Sequence, residues 1–222
     1  AVTVASGTTY NVNASDTVGS IADAGTITTT AASGTIVLST GYNNTSTTFS
    51  GVVQNGTNAT MALTKVGSGT LTLSGANSYT GTTTISAGTL KLTGSLSTST
   101  GVVMSNSAVW DLQAAQTIAS LTMASGNSIT NTAGTSSLSV SGTSTLANSI
   151  TTSGTQTYSG AVTLGANVSL TTTASNIEFG TTLNSNATAA RALTVNVGTA
   201  NITFTGAVGG AQGLGNISLT ST

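Results

Sequence analysis

Gly69-Thr-Leu-Thr-Leu-Ser-Gly75 returns as Gly88-Thr-Leu-Lys-Leu-Thr-Gly94, with glycines, threonines and leucines displaced by 19 residues. Self-similarity at such a period marks a solenoid, in which each repeat is one turn of a stack. Within each copy Leu71 and Leu73, or Leu90 and Leu92, alternate with polar residues, the two-residue period of a strand with one buried face. Stacked coils would place these leucines in one interior column and Lys91 on the outer face.

Other registers extend the pattern in both directions. Val2, Val4, Tyr10, Val12, Thr17, Val18 and Ile21 recur 100 residues later as Val102, Met104, Trp110, Leu112, Thr117, Ile118 and Leu121. The two blocks are therefore expected to fold alike. Toward the end, Val168, Leu170, Ile177, Phe179 and Leu183 align at an offset of 25 with Leu193, Val195, Ile202, Phe204 and Val208. Ile217 and Leu219 are expected to follow Val195 and Val197 at 22, so turn length varies while buried columns persist. An aromatic, a hydroxyl residue and a glycine recur at Phe49-Ser-Gly51, Tyr79-Thr-Gly81, Tyr158-Ser-Gly160 and Phe204-Thr-Gly206. The expected role is an aromatic packed inward at a strand end, followed by a glycine where a side chain would clash at the corner.

These registers predict an all-β fold, a right-handed parallel β-helix (β-solenoid) of about ten coils of 19–25 residues. At about 4.8 Å per coil it would be a rod on the order of 50 Å long. Thr, Ser, Val, Asn and Gly dominate, all poor helix formers. An antiparallel sandwich suits short alternating strands but has no reason to repeat at fixed offsets. The expected organisation is one solenoid segment over residues 1–222, with a first super-repeat at 1–100, a partial second at 101–150 and variant coils at 151–222. Both ends read as strand and look cut from a longer array.

Composition narrows the chemistry. Of 222 residues only 3% are charged and the formal net charge is -1, yet 37% are hydrophobic and mean hydropathy is +0.28. That balance supports a packed core rather than a disordered chain. Nucleic-acid binding is not expected, because the three Lys and Arg residues are scattered. No apolar run of about 20 residues is present, so membrane insertion by this segment is not expected either. Cysteine, histidine and proline are absent, which removes disulfides, thiol and imidazole catalysis and the usual transition-metal ligands. No cofactor or metal is expected. Asp16, Asp23, Asp111 and Glu178 lie far apart in sequence, whereas hydrolysis of a polysaccharide calls for paired carboxyls. Thr70-x-Thr72 and Thr82-x-Thr84 suggest an ice-binding array, but Lys91 interrupts the ladder. Trp110 could be a sugar-stacking platform; its repeat mate Tyr10 and its place in an alternating run favour a packed aromatic.

The segment from Leu63 through Gly69-Thr-Leu-Thr-Leu-Ser-Gly75 and Tyr79-Thr-Gly81 to Leu90 closely resembles the autotransporter-associated β-strand repeat of bacterial passenger domains and related secreted exoproteins. Trp110-Asp-Leu112 with residues 116–121, and residues 10–21, resemble the segments that surround that repeat. Residues 151–222 are similar to filamentous-haemagglutinin exoproteins in alternation and glycine placement. The resemblance implies a secreted rod, exposed at or released from the outer membrane of a Gram-negative bacterium, serving as a stalk or adhesive fibre and not as an enzyme. The expected partners are a host or matrix surface and the chain itself. Strand-like ends motivate the alternative of a self-assembling filament or matrix subunit. The core columns then comprise Leu71, Leu73, Leu90, Leu92, Tyr158, Phe179, Phe204, Val168, Leu170, Leu193 and Val195, with corner glycines Gly51, Gly81, Gly160 and Gly206.

Overall fold

Short runs of Thr, Val, Ile and Leu, punctuated by Gly, Ser and Asn, form short strands joined by tight corners, because branched side chains suit a pleated, half-buried surface. The computed structural model describes residues 1–221, and among them there are strands but no helix. Every strand pairing is parallel. The chain is an all-β solenoid of ten coils plus one strand of an eleventh.

Each coil has three faces. The first carries Val2–Thr3, Ile21–Ala22, Thr47–Phe49, Thr70–Leu73, Thr89–Leu92, Val109–Leu112 and Ser128–Thr130. The second carries Thr9–Asn11, Thr26–Thr28 and Val52–Val53, and later Gln116–Ile118, Leu138–Val140, Gln156–Tyr158, Ile177–Phe179 and Ile202–Phe204. The third runs from Asp16–Val18 through Thr35–Thr40, Thr60–Lys65, Thr83–Ile85 and Gly101–Met104 to Ser120–Met123. Ser144–Thr152 and Val162–Thr172 pass from the third face to the first without a break.

The 19-residue register is the observed pairing: Thr70, Leu71, Thr72 and Leu73 lie beside Thr89, Leu90, Lys91 and Leu92. The 25-residue register holds at Val168↔Leu193, Leu170↔Val195, Ile177↔Ile202, Phe179↔Phe204 and Leu183↔Val208. Its continuation needs correction. Ile217 and Leu219 pair with Leu193 and Val195, an offset of 24, not with Val195 and Val197 at 22. Both offsets keep the pleat parity, so apolar meets apolar in either; the longer corner decides the partner.

The 100-residue register has an unexpected geometry. Pairing within the blocks is the same, Val2↔Ile21 against Val102↔Leu121 and Asp16↔Leu38 against Gln116↔Leu138. Yet Val2 is on the first face and Val102 on the third, Tyr10 on the second and Trp110 on the first. One hundred residues is not a whole number of coils. Each block keeps its internal spacing while sitting one face further back around the axis.

Inward columns fill the core. Leu71 is 2% exposed, and Leu73, Leu90, Leu92, Leu170, Leu193 and Val195 are 0%. Val168, Tyr158 and Phe179 are also buried, whereas Phe204, near the last coil, is half-buried. Tyr158 stacks on Phe179 with ring centroids 5.5 Å apart, and Phe179 on Phe204 at 5.0 Å with rings 2° from parallel. Register forces the stacking, because residues paired in a parallel ladder superpose their side chains about 4.8 Å apart.

The corner glycines answer to the neighbouring coil. A Cβ on Gly51 would lie 1.8 Å from the Gly25 carbonyl oxygen, and one on Gly81 2.4 Å from that of Met61. Gly160 and Gly206 would meet backbone atoms of Gly142 and Thr181 at 2.3 and 2.4 Å. None of the four has a positive φ. Coils approach so closely at these corners that stacking, rather than the turn's own conformation, demands the missing side chain.

Candidate functional site

The few charged residues are placed by the same alternation that builds the core. Lys65, two residues after Leu63, shares its inward parity and pairs with Thr40 below and Ile85 above. It is 1% exposed. Its ammonium donates to the carbonyls of Val66 at 2.7 Å, Gly67 at 2.8 Å and Ala87 at 3.2 Å, clamping the corners of two coils. Desolvation pushes the amine down to a pKa of about 8. An unfolded lysine titrates near 10.4, so between the two values the unfolded chain binds more protons and stability rises with pH. The urea midpoint is therefore expected to climb from pH 8 to 10 relative to K65M, whose curve lacks that component. No excess climb in the wild type would show that the carbonyls hold the cation fully.

The four acids do not converge. Asp16 lies on the third face of the first coil and Asp23 after the first face of the second. Asp111 is on the first face of the sixth coil and Glu178 on the second face of the ninth. Asp16 accepts from the Tyr10 hydroxyl at 2.8 Å, which holds its carboxyl below the usual range, while burial and that carboxylate push Tyr10 up. Asp111 is 5% exposed because its carboxylate accepts from Thr132 N at 3.0 Å, Thr132 Oγ1 at 2.6 Å and Gln113 Nε2 at 2.8 Å. The two bonds from Thr132 tie it to the next coil. Among the described residues no group of three or more His, Cys, Asp or Glu residues could hold a metal ion.

Sequence reasoning missed a set of buried amides at the corners. Asn77 accepts from Val53 N at 3.0 Å and donates to the carbonyls of Gly75 and Ser95. Gln116 accepts from Leu96 N and donates to Gly94 O; Asn127 accepts from Ala108 N and donates to the carbonyls of Met104 and Ala124. Each carboxamide satisfies backbone groups of a neighbouring coil where the ladder is interrupted, which a buried corner requires. The signal was an amide among small residues, as in Gly75-Ala-Asn77, and periodicity does not single it out. Trp110 is 0% exposed, between Leu90 and Ile129. It cannot be a surface platform for sugars.

Hydroxyls ladder the outer faces. On the third, Thr17, Ser39, Thr64, Thr84, Val103, Thr122, Thr145, Thr163 and Asn184 are successive partners. On the first, Lys91 and Asp111 interrupt a column of threonines running from Thr48 to Thr130. Neither is a flat two-column threonine array.

One concavity lies at the corner between the third and first faces. It has a volume of about 360 Å³ and is lined by Ser125, Gly126, Asn148, Ala166, Asn167 and Arg191. Corner length explains it. The corners at 147–148 and 165–167 are short, with strands running through them, and they are flanked by the longer corners 124–127 and 186–192.

An all-β solenoid with three parallel faces and a continuous apolar interior defines a stack of coils. Residues 63–92 match the family model of the passenger-associated-transport-repeat, a repeat typical of autotransporter passengers. The matched span begins at the end of one third-face strand and closes on the first face a coil later, so it contains both copies of the Leu-x-Leu phrase. It covers well under half of the chain. No curated protein and no solved structure matches, and the likeness of residues 151–222 to filamentous-haemagglutinin exoproteins finds no support.

Proposed function

We propose that this chain is a non-catalytic stalk segment of an autotransporter passenger, a rod displayed at or released from the bacterial outer membrane that carries adhesive contacts on its surface. The observation that carries the reading is the passenger repeat at residues 63–92 set in register within a stack whose columns extend well beyond it. In such a stack each coil buries its neighbour's apolar face, so length and stiffness come from repetition. The chemistry left over, isolated acids and a lysine spent on carbonyls, supports a structural role. Fused between a signal peptide and a translocating barrel in a Gram-negative host, the chain is expected to reach the cell surface and be released by external protease. Retention in the periplasm in a folded, protease-resistant form would contradict the reading.

A further inference from the structure

The corner concavity is polar, and its one cation is only partly engaged. Arg191 donates from Nε to Asn186 Oδ1 at 3.3 Å, and its backbone is held by Ser185 Oγ at 2.8 Å and by Gly215 N on its carbonyl at 2.8 Å. The guanidinium is thus oriented through one nitrogen, and its two terminal nitrogens have no partner among the described residues. Asn167 uses Oδ1 to accept from Ala192 N at 3.0 Å, and its NH2 group has no partner among the described residues. Asn148 is exposed, its side chain makes no hydrogen bond among the described residues, and its φ of 66° turns it at the bulge between Leu146 and Asn148. Ser125 adds a hydroxyl from the other side.

A fork of free guanidinium N–H groups recognises a planar carboxylate bidentately. Two carboxamides and a hydroxyl alongside supply donors and acceptors suited to vicinal hydroxyls. No aromatic ring lines the cavity to stack against a neutral sugar face. The volume, about 360 Å³, is at the small end of the range for small-molecule sites and fits a ring rather than a long chain. We propose that this notch binds the carboxylate-bearing ring of an acidic sugar, with Arg191 taking the carboxylate and Asn148, Asn167 and Ser125 taking hydroxyls. This gives the adhesive part of the proposed function a site; its failure would leave the stalk reading standing, because the test below does not involve export.

The test is a titration of the purified, 15N-labelled chain with D-galacturonate, N-acetylneuraminate, D-galactose and propionate. At least one acidic sugar is expected to shift the Arg191 Nε–H and the Asn148 and Asn167 side-chain amide signals. Galactose, lacking the carboxylate, and propionate, lacking the hydroxyls, are expected to bind at least about tenfold more weakly. R191A is expected to lower affinity for the acidic sugar at least about tenfold. N148G removes the second group where glycine accepts the left-handed backbone, so it tests the site without straining the corner, and a loss of about threefold or more is expected. The proposal is overturned if galactose or propionate binds as well as the acidic sugars, if neither acidic sugar moves these signals, or if R191A or N148G leaves affinity unchanged.

Discussion

Replacing Gly75 by alanine is expected to destabilise the solenoid by about 3 kcal/mol or more, a large effect for one methyl group. The added Cβ would sit 1.9 Å from the Gly51 carbonyl oxygen, with Gly51 C and Ser50 O at 2.9 Å. All three are backbone atoms and cannot step aside. Gly75 also carries fixed partners, its carbonyl accepting from Asn77 Nδ2 at 3.0 Å and Ser95 N at 3.2 Å, so the corner cannot shift without breaking these bonds. The contact is one of a column: Gly51 packs on Gly25, Gly75 on Gly51 and Gly94 on Gly75. Urea unfolding of G75A measures the loss. Gly213→Ala is the control, because nothing lies within 4 Å of its Cβ and its φ is not positive, so a change within about 0.5 kcal/mol is expected. Equal stability of G75A and wild type would mean that coils are further apart at this corner than the structure places them.

Phe179→Ala is expected to cost about 3–5 kcal/mol. Phe179 is 1% exposed and central in the stack with Tyr158 and Phe204, so truncation leaves a cavity under both rings and removes two stacking contacts. Because each coil touches only its neighbours, the loss should be local. Amide exchange is expected to accelerate in residues 177–204 and little in residues 2–92. Phe204→Ala, at a half-buried ring with a partner on one side, should cost less. If both variants lost stability equally and along the whole chain, the molecule would be one cooperative core rather than a stack.

Where strands repeat a parity, the fold was legible in the sequence. Leu71-x-Leu73 over Leu90-x-Leu92 reports pairing directly, since side chains of stacked coils coincide. Parity alone misjudged longer corners. Ile217 satisfies it against either Leu193 or Val195, and only the length of the preceding corner chooses Leu193. The 100-residue recurrence shows the same limit, because three faces built on one alternation are indistinguishable in sequence and a block can move from face to face unnoticed. Lys65 could have been read as inward from its spacing to Leu63; its charge argued against it, and three carbonyls explain its place. The amides Asn77, Gln116 and Asn127, and the notch at Arg191, depend on how corners of different length stack. No periodic signal carries that.

The most direct test of parallel coil stacking is distance against coil number. Thr70, Thr89, Val109, Ser128, Ser149, Ser169 and Thr194 are successive partners along the first face. Cysteine is absent from the chain, so spin labels can be placed in pairs at will. Electron–electron double resonance between labels at residues 70 and 149 should give a separation near 19 Å, and between 70 and 194 near 29 Å, about 4.8 Å for each coil crossed. Separations that do not grow with the number of coils, as when strands fold back in an antiparallel sandwich, would contradict the stacked solenoid and the rod built on it.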